Sequence, residues 1–378
     1  MCLEKISDLL FQKGINTAIY RESYRNAGKR MREFLPYGKI LLLADEKNAS
    51  LLHGLAENTG GLKTFNVLFS QNDKPESLFS LPDEVRGVIA AGERSIRAAR
   101  FFCTLRRAYL IAVPTVCSAN ALFSRFGGAV GGFPVKEPSA VIADESIISG
   151  VSDSFMECAL SSLCAFDLRT DAVFSQQTEK NVSLFEDCMK LLQNTPDFLG
   201  IFACSCIYQI AKDECQPFSC DAFYRQLCKS RSRGVSAAET LAFFADKYKK
   251  FFMEAKPRLY FVPDYLSRVL AAEKVGGRQV FDFLKVPSAK ESFLRVRLFS
   301  ECRSRFQRDC DLLSRFVSEI MEKYYLLGGR RENFDVGEKE ELYSLSCELS
   351  PYLSVVSLAR EFGLLRASNS PDTVKSGA

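Results

Sequence analysis

The stretch "VIAAGERSIRAARFF", from Val88 to Phe102, decides the fold of the first part of the chain. An apolar run ends at Gly92, and a helical pattern follows it. A buried strand, a tight glycine turn and a helix in this order are typical of nucleotide-binding α/β folds, in which backbone N–H groups at the helix start face a phosphate. Such turns often have three glycines, whereas this one has Gly92 alone. The stretch therefore predicts the fold more firmly than it predicts nucleotide binding.

The same alternation of apolar runs and amphipathic stretches continues on both sides of this segment. It predicts strands at 39–46, 64–69, 85–92 and 108–115, and helices at 49–58 and 94–105. Fully apolar strands that alternate with helices form a parallel sheet covered on both faces. The glycines and prolines of residues 126–144 surround two possible short strands and indicate a hairpin or an excursion at the sheet edge. We therefore expect a Rossmann-like α/β domain over residues 1–149.

The pattern changes near Gly150, where helical periodicity replaces the strand–helix alternation. Long amphipathic stretches at 153–168, 181–194, 236–255 and 292–327 predict an all-helical domain over residues 150–366. The polar end of the chain, residues 367–378, is expected to be a disordered tail. The predicted fold class is thus α/β plus all-α.

The charge and hydropathy of the chain exclude several classes of partner. The 378 residues include 50 basic and 46 acidic side chains, a balance too even to indicate nucleic acid or an anionic membrane as the partner. No apolar run reaches the length of a membrane-spanning helix. The first residues, "MCLEKISDLLFQKG", carry charges inside their apolar pattern, unlike a secretory signal. We expect a cytoplasmic protein.

Cysteine and histidine contents limit the chemistry further. Most of the 14 cysteines lie in apolar helical stretches, where reduced thiols act as small buried hydrophobic groups. Cys204, Cys206, Cys215 and Cys220 are close in sequence, but their spacing matches no usual zinc pattern. The one histidine, His53, is expected to be packed or on the surface. A single histidine argues against Ser-His-Asp, Cys-His and HExxH schemes.

Four segments together carry a resemblance to a known family. They are "LLLADEKNASLLHG" (41–54), "VIAAGERSIRAAR" (88–100), "VPTVCSANALFS" (113–124) and "PSAVIADESII" (138–148). In order and spacing they resemble the iron-containing alcohol dehydrogenase and dehydroquinate synthase-like superfamily, closest to its glycerol-1-phosphate dehydrogenase branch but divergent. The resemblance extends over roughly residues 15–250. It implies an NAD(P)-binding domain followed by a helical domain that holds a divalent metal.

The resemblance also implies which residues face the cofactor. They are Asp45, Thr115, Ser118 and Asn120, together with Gly92, Glu93 and Arg94 in place of the family's glycine loop. Glu93 would bring a carboxylate near a phosphate, while Arg94, Arg97 and Arg100 could offset it by binding an anion. Three alternatives remain: normal dinucleotide binding, a rearranged anion site, or a solvated helix face. Asp45 could accept from a ribose hydroxyl or serve as a helix cap, and the hydroxyl and amide side chains could cap loops. We expect weakened NAD(P) binding.

The resemblance places a metal between one carboxylate and two histidines of the helical domain. Glu157 and Asp167 have the family's ten-residue spacing. The segment that matches the second ligand, residues 217–227, contains no histidine, and Arg233 stands at the third position. A guanidinium is not a metal ligand and would instead pair with Glu157. We therefore expect degenerate ligand positions and no bound metal.

These observations favour a catalytically impaired or non-catalytic descendant, a pseudoenzyme that binds a small anionic ligand or nucleotide. The alternative is an NAD(P)-dependent oxidoreductase acting on a small polyol or polyol phosphate, with Arg233 or Lys136 replacing the metal electrostatically. A third reading is a metal-free reaction on a phosphorylated or carboxylated substrate. No catalytic residue can be assigned from the sequence.

Overall fold

The computed structural model describes residues 7, 10–11, 14–117, 119–124, 134–148, 152–175, 198–211, 218–257, 269, 287–332, 334–350 and 352–365. Its strands are β1 (Ala18–Tyr20), β2 (Gly38–Asp45), β3 (Leu62–Phe69), β4 (Val85–Ala91), β5 (Tyr109–Val113) and β6 (Ala140–Ile142). Its α-helices are α1 (Ala27–Phe34), α2 (Leu51–Ala56), α3 (Glu93–Arg106), α4 (Asn120–Phe123), α5 (Glu145–Ile148), α6 (Ser152–Phe174), α7 (Phe198–Ala211), α8 (Ser219–Leu227), α9 (Arg233–Glu254), α10 (Ala289–Leu326), α11 (Val336–Ser346) and α12 (Val355–Glu361). Short 3-10 helices cover Tyr24–Asn26, Glu46–Asn48, Pro75–Ser80 and Cys347–Leu349.

The six strands form one sheet in the order β1-β6-β5-β4-β2-β3. Every neighbouring pair is parallel, and the register sets Leu41 beside Val88 and Ile89 beside Ile111. The strands β2, β4 and β5 bury most of their residues, as parallel strands covered by helices on both faces do. Because they are parallel, their carboxyl ends meet at one edge of the sheet, and the loops that follow them can build a shared site there.

The apolar runs predicted most of this sheet. The strands expected at 39–46, 64–69, 85–92 and 108–115 are confirmed as β2 to β5, with ends that differ by a residue or two. The hairpin or edge excursion expected for residues 126–144 is wrong where the structure describes it. There β6 lies in the sheet interior, parallel to both β1 and β5. Residues 125–133 lie outside the described residues.

The second half of the chain is helical, and no strand occurs in its described residues. Aromatic side chains dominate its core: the ring of Phe166 stacks on that of Tyr248 at 5.3 Å, and Phe252 stacks on Phe306 at 4.7 Å. Offset aromatic pairs add stabilisation beyond the apolar area they bury. The predicted class, an α/β domain plus helices, is confirmed. No helix within the described ranges is long and apolar enough to cross a membrane.

Contacts between residues divide the chain into two compact units. One comprises Met1–Cys158 with Lys190–Glu214, and the other comprises Ala159–Met189 with Cys215–Ala378. The division falls within α6, and α7 groups with the sheet. The boundaries at 149 and 366 stay predictions. The helix expected at 181–194 and the tail at 367–378 lie outside the described residues.

Candidate functional site

A single glycine with positive φ forms the turn between β4 and α3. Gly92 adopts φ 102° and ψ 157°, a backbone conformation that residues other than glycine rarely adopt. Its N–H donates to the carbonyl of Val113 at the end of β5. The helix then begins at Glu93, so its first N–H groups point towards the carboxyl edge of the sheet. The predicted strand–turn–helix is therefore present.

A carboxylate from the same chain occupies the start of this helix. Asp45, the last residue of β2, is 5% exposed. Its Oδ1 accepts from the backbone N–H of Ser95 at 2.7 Å and from the Ser95 hydroxyl at 2.6 Å. Its Oδ2 accepts from the backbone N–H of Arg94 at 3.4 Å. The carboxylate thus caps α3 from a neighbouring strand and satisfies the N–H groups that a phosphate would use.

Further side chains close the space around this carboxylate. The amide of Asn48 donates to the hydroxyl of Thr115 at 3.2 Å, which joins the loops after β2 and β5. A Cβ placed on Gly92 would lie 2.4 Å from Asp45 Oδ2 and 2.7 Å from Asn48 Nδ2. Because of these short distances, only glycine fits at position 92. Asp45, Asn48, Gly92, Ser95 and Thr115 hereafter form the capped turn.

The charged residues of α3 have separate roles. Glu93 and Arg97 form an ion pair one helical turn apart, at 2.9 Å. Arg94 is exposed. Arg100 is fully buried, and its guanidinium donates to the backbone carbonyls of Ala121, Ser124, Val135 and Lys136 at 2.8–3.4 Å.

The contacts of Arg100 differ from the expectation that it joins an anion site. A guanidinium has five N–H donors and no acceptor, so one buried arginine can hold several carbonyls at once. Here the carbonyls belong to residues on both sides of 125–133. Lys136 itself has an exposed side chain, and its N–H donates to the hydroxyl of Thr104. Arg100 therefore positions backbone segments beside α3.

The remaining predicted cofactor contacts follow β5. Thr115 is 6% exposed, with its hydroxyl already bonded to Asn48. Asn120 is the first residue of α4, and the preceding N–H, of Ala119, donates to the hydroxyl of Ser205 at 3.3 Å. Ser118 lies outside the described residues. These hydrogen bonds join loops and helices to one another. Cofactor binding by Thr115, Ser118 and Asn120 stays a prediction.

The structure places the predicted metal positions on separate helices. Glu157 lies within α6, half-buried, and Arg233 is the exposed first residue of α9. His53 is exposed on α2. Within the described ranges, no group of three His, Cys, Asp or Glu side chains could hold a metal. The ion pair between Glu157 and Arg233 stays a prediction.

The helical unit contains a buried polar cluster around Asp167 and Tyr248, of which the sequence indicated only Asp167. Asp167 is fully buried, and the Tyr248 hydroxyl donates to its carboxyl group, 2.8 Å from each oxygen. The pKa of Asp167 is raised to about 7, chiefly by burial and to a smaller extent by the nearby charge of Asp221, although hydrogen bonds from Tyr248, Val355 and Cys220 lower it. Burial likewise raises the pKa of the Tyr248 hydroxyl. The ten-residue spacing marked Asp167, but nothing in the sequence pointed to Tyr248.

Two cysteines lie beside this cluster. Cys164 and Cys220 have their sulfurs 3.4 Å apart, and both are completely buried. Burial raises the pKa of the Cys220 thiol well above its usual value, which keeps it protonated. Cys204 and Cys206 are also buried, while Cys215 lies outside the described residues. The described cysteines are free thiols, and most of them are buried, as cysteines that pack as small apolar groups are.

Comparisons with solved structures identify the fold. A maleylacetate reductase from Agrobacterium tumefaciens has a TM-score of 0.52 at 11% identity, covering 93% of this chain and 96% of that one. A maleylacetate reductase from Rhizobium sp. has 0.50 at 14%, covering 92% and 95%. An iron-containing alcohol dehydrogenase from Corynebacterium glutamicum has 0.50 at 11%, covering 94% and 96%. No family model and no curated protein sequence matches the chain. At such identities the likeness shows the fold alone, and it is the fold expected from the resemblance.

Proposed function

We propose that this chain, which has the fold of the iron-containing alcohol dehydrogenases, works without catalysis, as a binding or regulatory protein. The α/β unit no longer holds NAD(P) in the usual way, and the helical unit no longer holds a metal. The observation that carries the proposal is the position of Asp45, whose carboxylate bonds to the first N–H groups of α3. A pyrophosphate would need those same donors.

Electrostatics supports the same conclusion. A phosphate at the start of α3 would lie within a few ångströms of the buried Asp45 carboxylate. Two like charges 4 Å apart repel by about 4 kcal/mol at an effective dielectric constant of 20, roughly a thousandfold in affinity. Glu93, the first residue of the helix, adds a second carboxylate beside the turn. Binding of a dinucleotide would therefore require Asp45 to leave its donors.

The residues at the matched metal-ligand positions give a second reason, separate from Asp45, to propose that catalysis is lost. Dehydrogenases that use a metal need it to polarise the substrate oxygen. In this chain the matched positions carry Glu157 and Arg233, and His53 lies on another element. A cation at a ligand position repels a metal ion. We expect metal analysis of the purified protein to find far less than one zinc, nickel or iron per chain.

Calorimetry of NADH and NADPH, with and without added zinc, tests the proposal. We expect no binding by the native protein in either condition. Asp45→Asn removes the charge, and Asp144→Asn is the matched control, since Asp144 is another buried carboxylate that follows a strand and accepts backbone N–H bonds. We expect any gain in nucleotide binding only in the Asp45 variant. Micromolar binding by the native protein would overturn the proposal.

A second candidate is an NAD(P)-dependent oxidoreductase acting on a small polyol or polyol phosphate. The intact backbone of the turn favours it, because Gly92 keeps the positive φ that such turns need. Micromolar NADH binding together with turnover of glycerol or a glycerol phosphate would establish this function in place of the first. Without either, we look for partners by pull-down experiments.

We also propose a cellular compartment and a class of partner for the protein. We place it in the cytoplasm with reduced thiols, and we propose a small anionic ligand or nucleotide, rather than nucleic acid or a membrane, as its partner. The nearly balanced charge of the chain, 50 basic against 46 acidic side chains, supports this choice. Labelling of free thiols in freshly lysed cells tests the redox state.

A further inference from the structure

A cavity of about 210 Å³ lies in the helical unit, between α9, α10 and the segment that precedes α11. Its apolar lining includes Val235 and Ala238 of α9 and Met321 of α10. Two aromatic residues, Tyr325 and Phe334, also line it. Apolar pockets with a few convergent polar groups are the usual form of small-molecule sites.

A glycine turn brings two arginines to this cavity. After α10 the chain continues as Gly328, with φ 83°, and Gly329, whose added Cβ would lie 2.5 Å from the Tyr324 ring. Both N–H groups bond back to carbonyls of the last helical turn, which reverses the chain. Arg330 and Arg331 follow at once and line the cavity.

The acidic residues of the cavity are already paired with other bases. Glu239 bonds to Lys339 at 2.5 Å, and Glu332 bonds to Arg231 at 2.6 Å. Neither Arg330 nor Arg331 forms an ion pair or a hydrogen bond through its side chain with any residue that the structure describes. The cavity therefore combines apolar side chains with two exposed guanidinium groups that are not paired with any carboxylate of the described residues.

We propose that this cavity binds a small organic anion with a compact apolar body, of the type of an aromatic carboxylate or phosphate monoester. Two guanidinium groups can each offer a pair of parallel N–H donors to such an anion. The volume exceeds the roughly 150 Å³ of an apolar cavity that admits benzene, so a six-membered ring with its acidic group fits. None of the residues that line this cavity belongs to the capped turn, so its ligand binding is independent of the proposed function.

Calorimetric titration of the full chain with benzoate and with phenyl phosphate tests it. We expect at least one of them to bind with a dissociation constant of about 1 mM or lower. Benzyl alcohol, which lacks the charge, and inorganic phosphate, which lacks the ring, should each bind at least about tenfold more weakly. If neither organic anion binds at about 10 mM, or if benzyl alcohol binds equally well, the proposal is wrong.

Variants locate the site. The double variant Arg330→Gln/Arg331→Gln removes both charges, and Ala242→Phe fills the cavity from an exposed position on α9. We expect each to weaken binding at least about tenfold. Arg308→Gln, on the exposed face of α10, is the control and should leave binding unchanged. Unchanged binding in both site variants contradicts the proposal, and the ligand comparison in the native protein tests it even if a variant fails to fold.

Discussion

At the scale of a single residue, the carboxylate of Asp45 occupies the place that an external anion takes in nucleotide-binding turns. We predict that Asp45→Ala lowers the free energy of unfolding by about 1–2 kcal/mol, because α3 loses its cap and a favourable charge at its amino end. Asp83→Ala, which removes an exposed carboxylate paired with Arg106, should cost much less. Urea unfolding followed by circular dichroism measures both, and equal losses would contradict the capping role.

Asp167 makes stability depend on pH. Its pKa is about 7 in the folded protein against an ordinary value of 3.8, so between about pH 4 and pH 7 the folded state holds a proton that the unfolded state has released. The contribution of this group is therefore fully present at low pH and is lost as the pH rises through about 7. Between about pH 4 and pH 7, the free energy of unfolding falls by about 1.4 kcal/mol for each pH unit. Asp167→Asn abolishes this dependence.

The measurement is the free energy of unfolding at pH 5 and at pH 8. We expect the stability of Asp167→Asn, relative to the native protein, to be higher at pH 8 than at pH 5. Asp246→Asn, an exposed carboxylate paired with Lys250 on α9, serves as the control and should leave the pH dependence unchanged. A difference that is the same at both pH values would show that Asp167 is not the titrating group.

At the scale of the elements, Arg100 joins α3 to the segments on either side of residues 125–133. Removing its guanidinium leaves buried carbonyls without donors, each costing about 1–3 kcal/mol. We predict that Arg100→Gln lowers the midpoint of thermal unfolding far more than Arg97→Gln, which removes only an ion pair within the same helix. Similar midpoints for the two variants would contradict the positioning role of Arg100.

The helix α10 shows how burial varies along one element. Its 38 residues make it about 57 Å long, and its buried side chains start only at Phe299. Residues 289–298 are exposed or only partly buried, so packing protects their backbone hydrogen bonds less than those of residues 306–324. We predict that their amides exchange with deuterium much faster than those of residues 306–324, as measured by mass spectrometry. Uniform protection along α10 would contradict this.

Apolar runs predicted the elements well where they are long. The three-residue strand β1 was missed, because it buries a single residue and has no readable pattern. The strand β6 was misassigned, since glycines and prolines before an apolar triplet are typical of a hairpin and do not reveal that the chain returns to the sheet interior. For the arginines along α3, a solvated helix face was one of three alternatives, and the structure shows Arg94 exposed but Arg100 fully buried.

At the scale of the whole molecule, the site depends on residues that are distant in sequence. Asp45 and Ser95 are 50 positions apart, and only the parallel pairing of β2 with β4 brings them together. The sequence could name both a helix cap and a ribose acceptor for Asp45, but not decide between them. The cavity of the helical unit likewise joins α9 to the turn after α10, and only Arg330 and Arg331 beside two glycines could have indicated it.

The two compact units predict how the variants act on unfolding. Asp45 lies in one unit and Asp167 in the other, and each has its own core. We predict two calorimetric transitions, with Asp45→Ala shifting one and Asp167→Asn the other. A single transition shifted by both variants would show that the units unfold together.

The capped turn has a consequence for how the protein would behave in a changing metabolism. A nucleotide in solution competes at its own concentration, whereas a carboxylate fixed by the fold acts at an effective concentration of millimolar or above. Asp45 stays within reach of its donors whatever the supply of NAD or its degree of reduction. In a protein built in this way, the start of α3 would stay in the same state whatever the concentration of NAD or its degree of reduction.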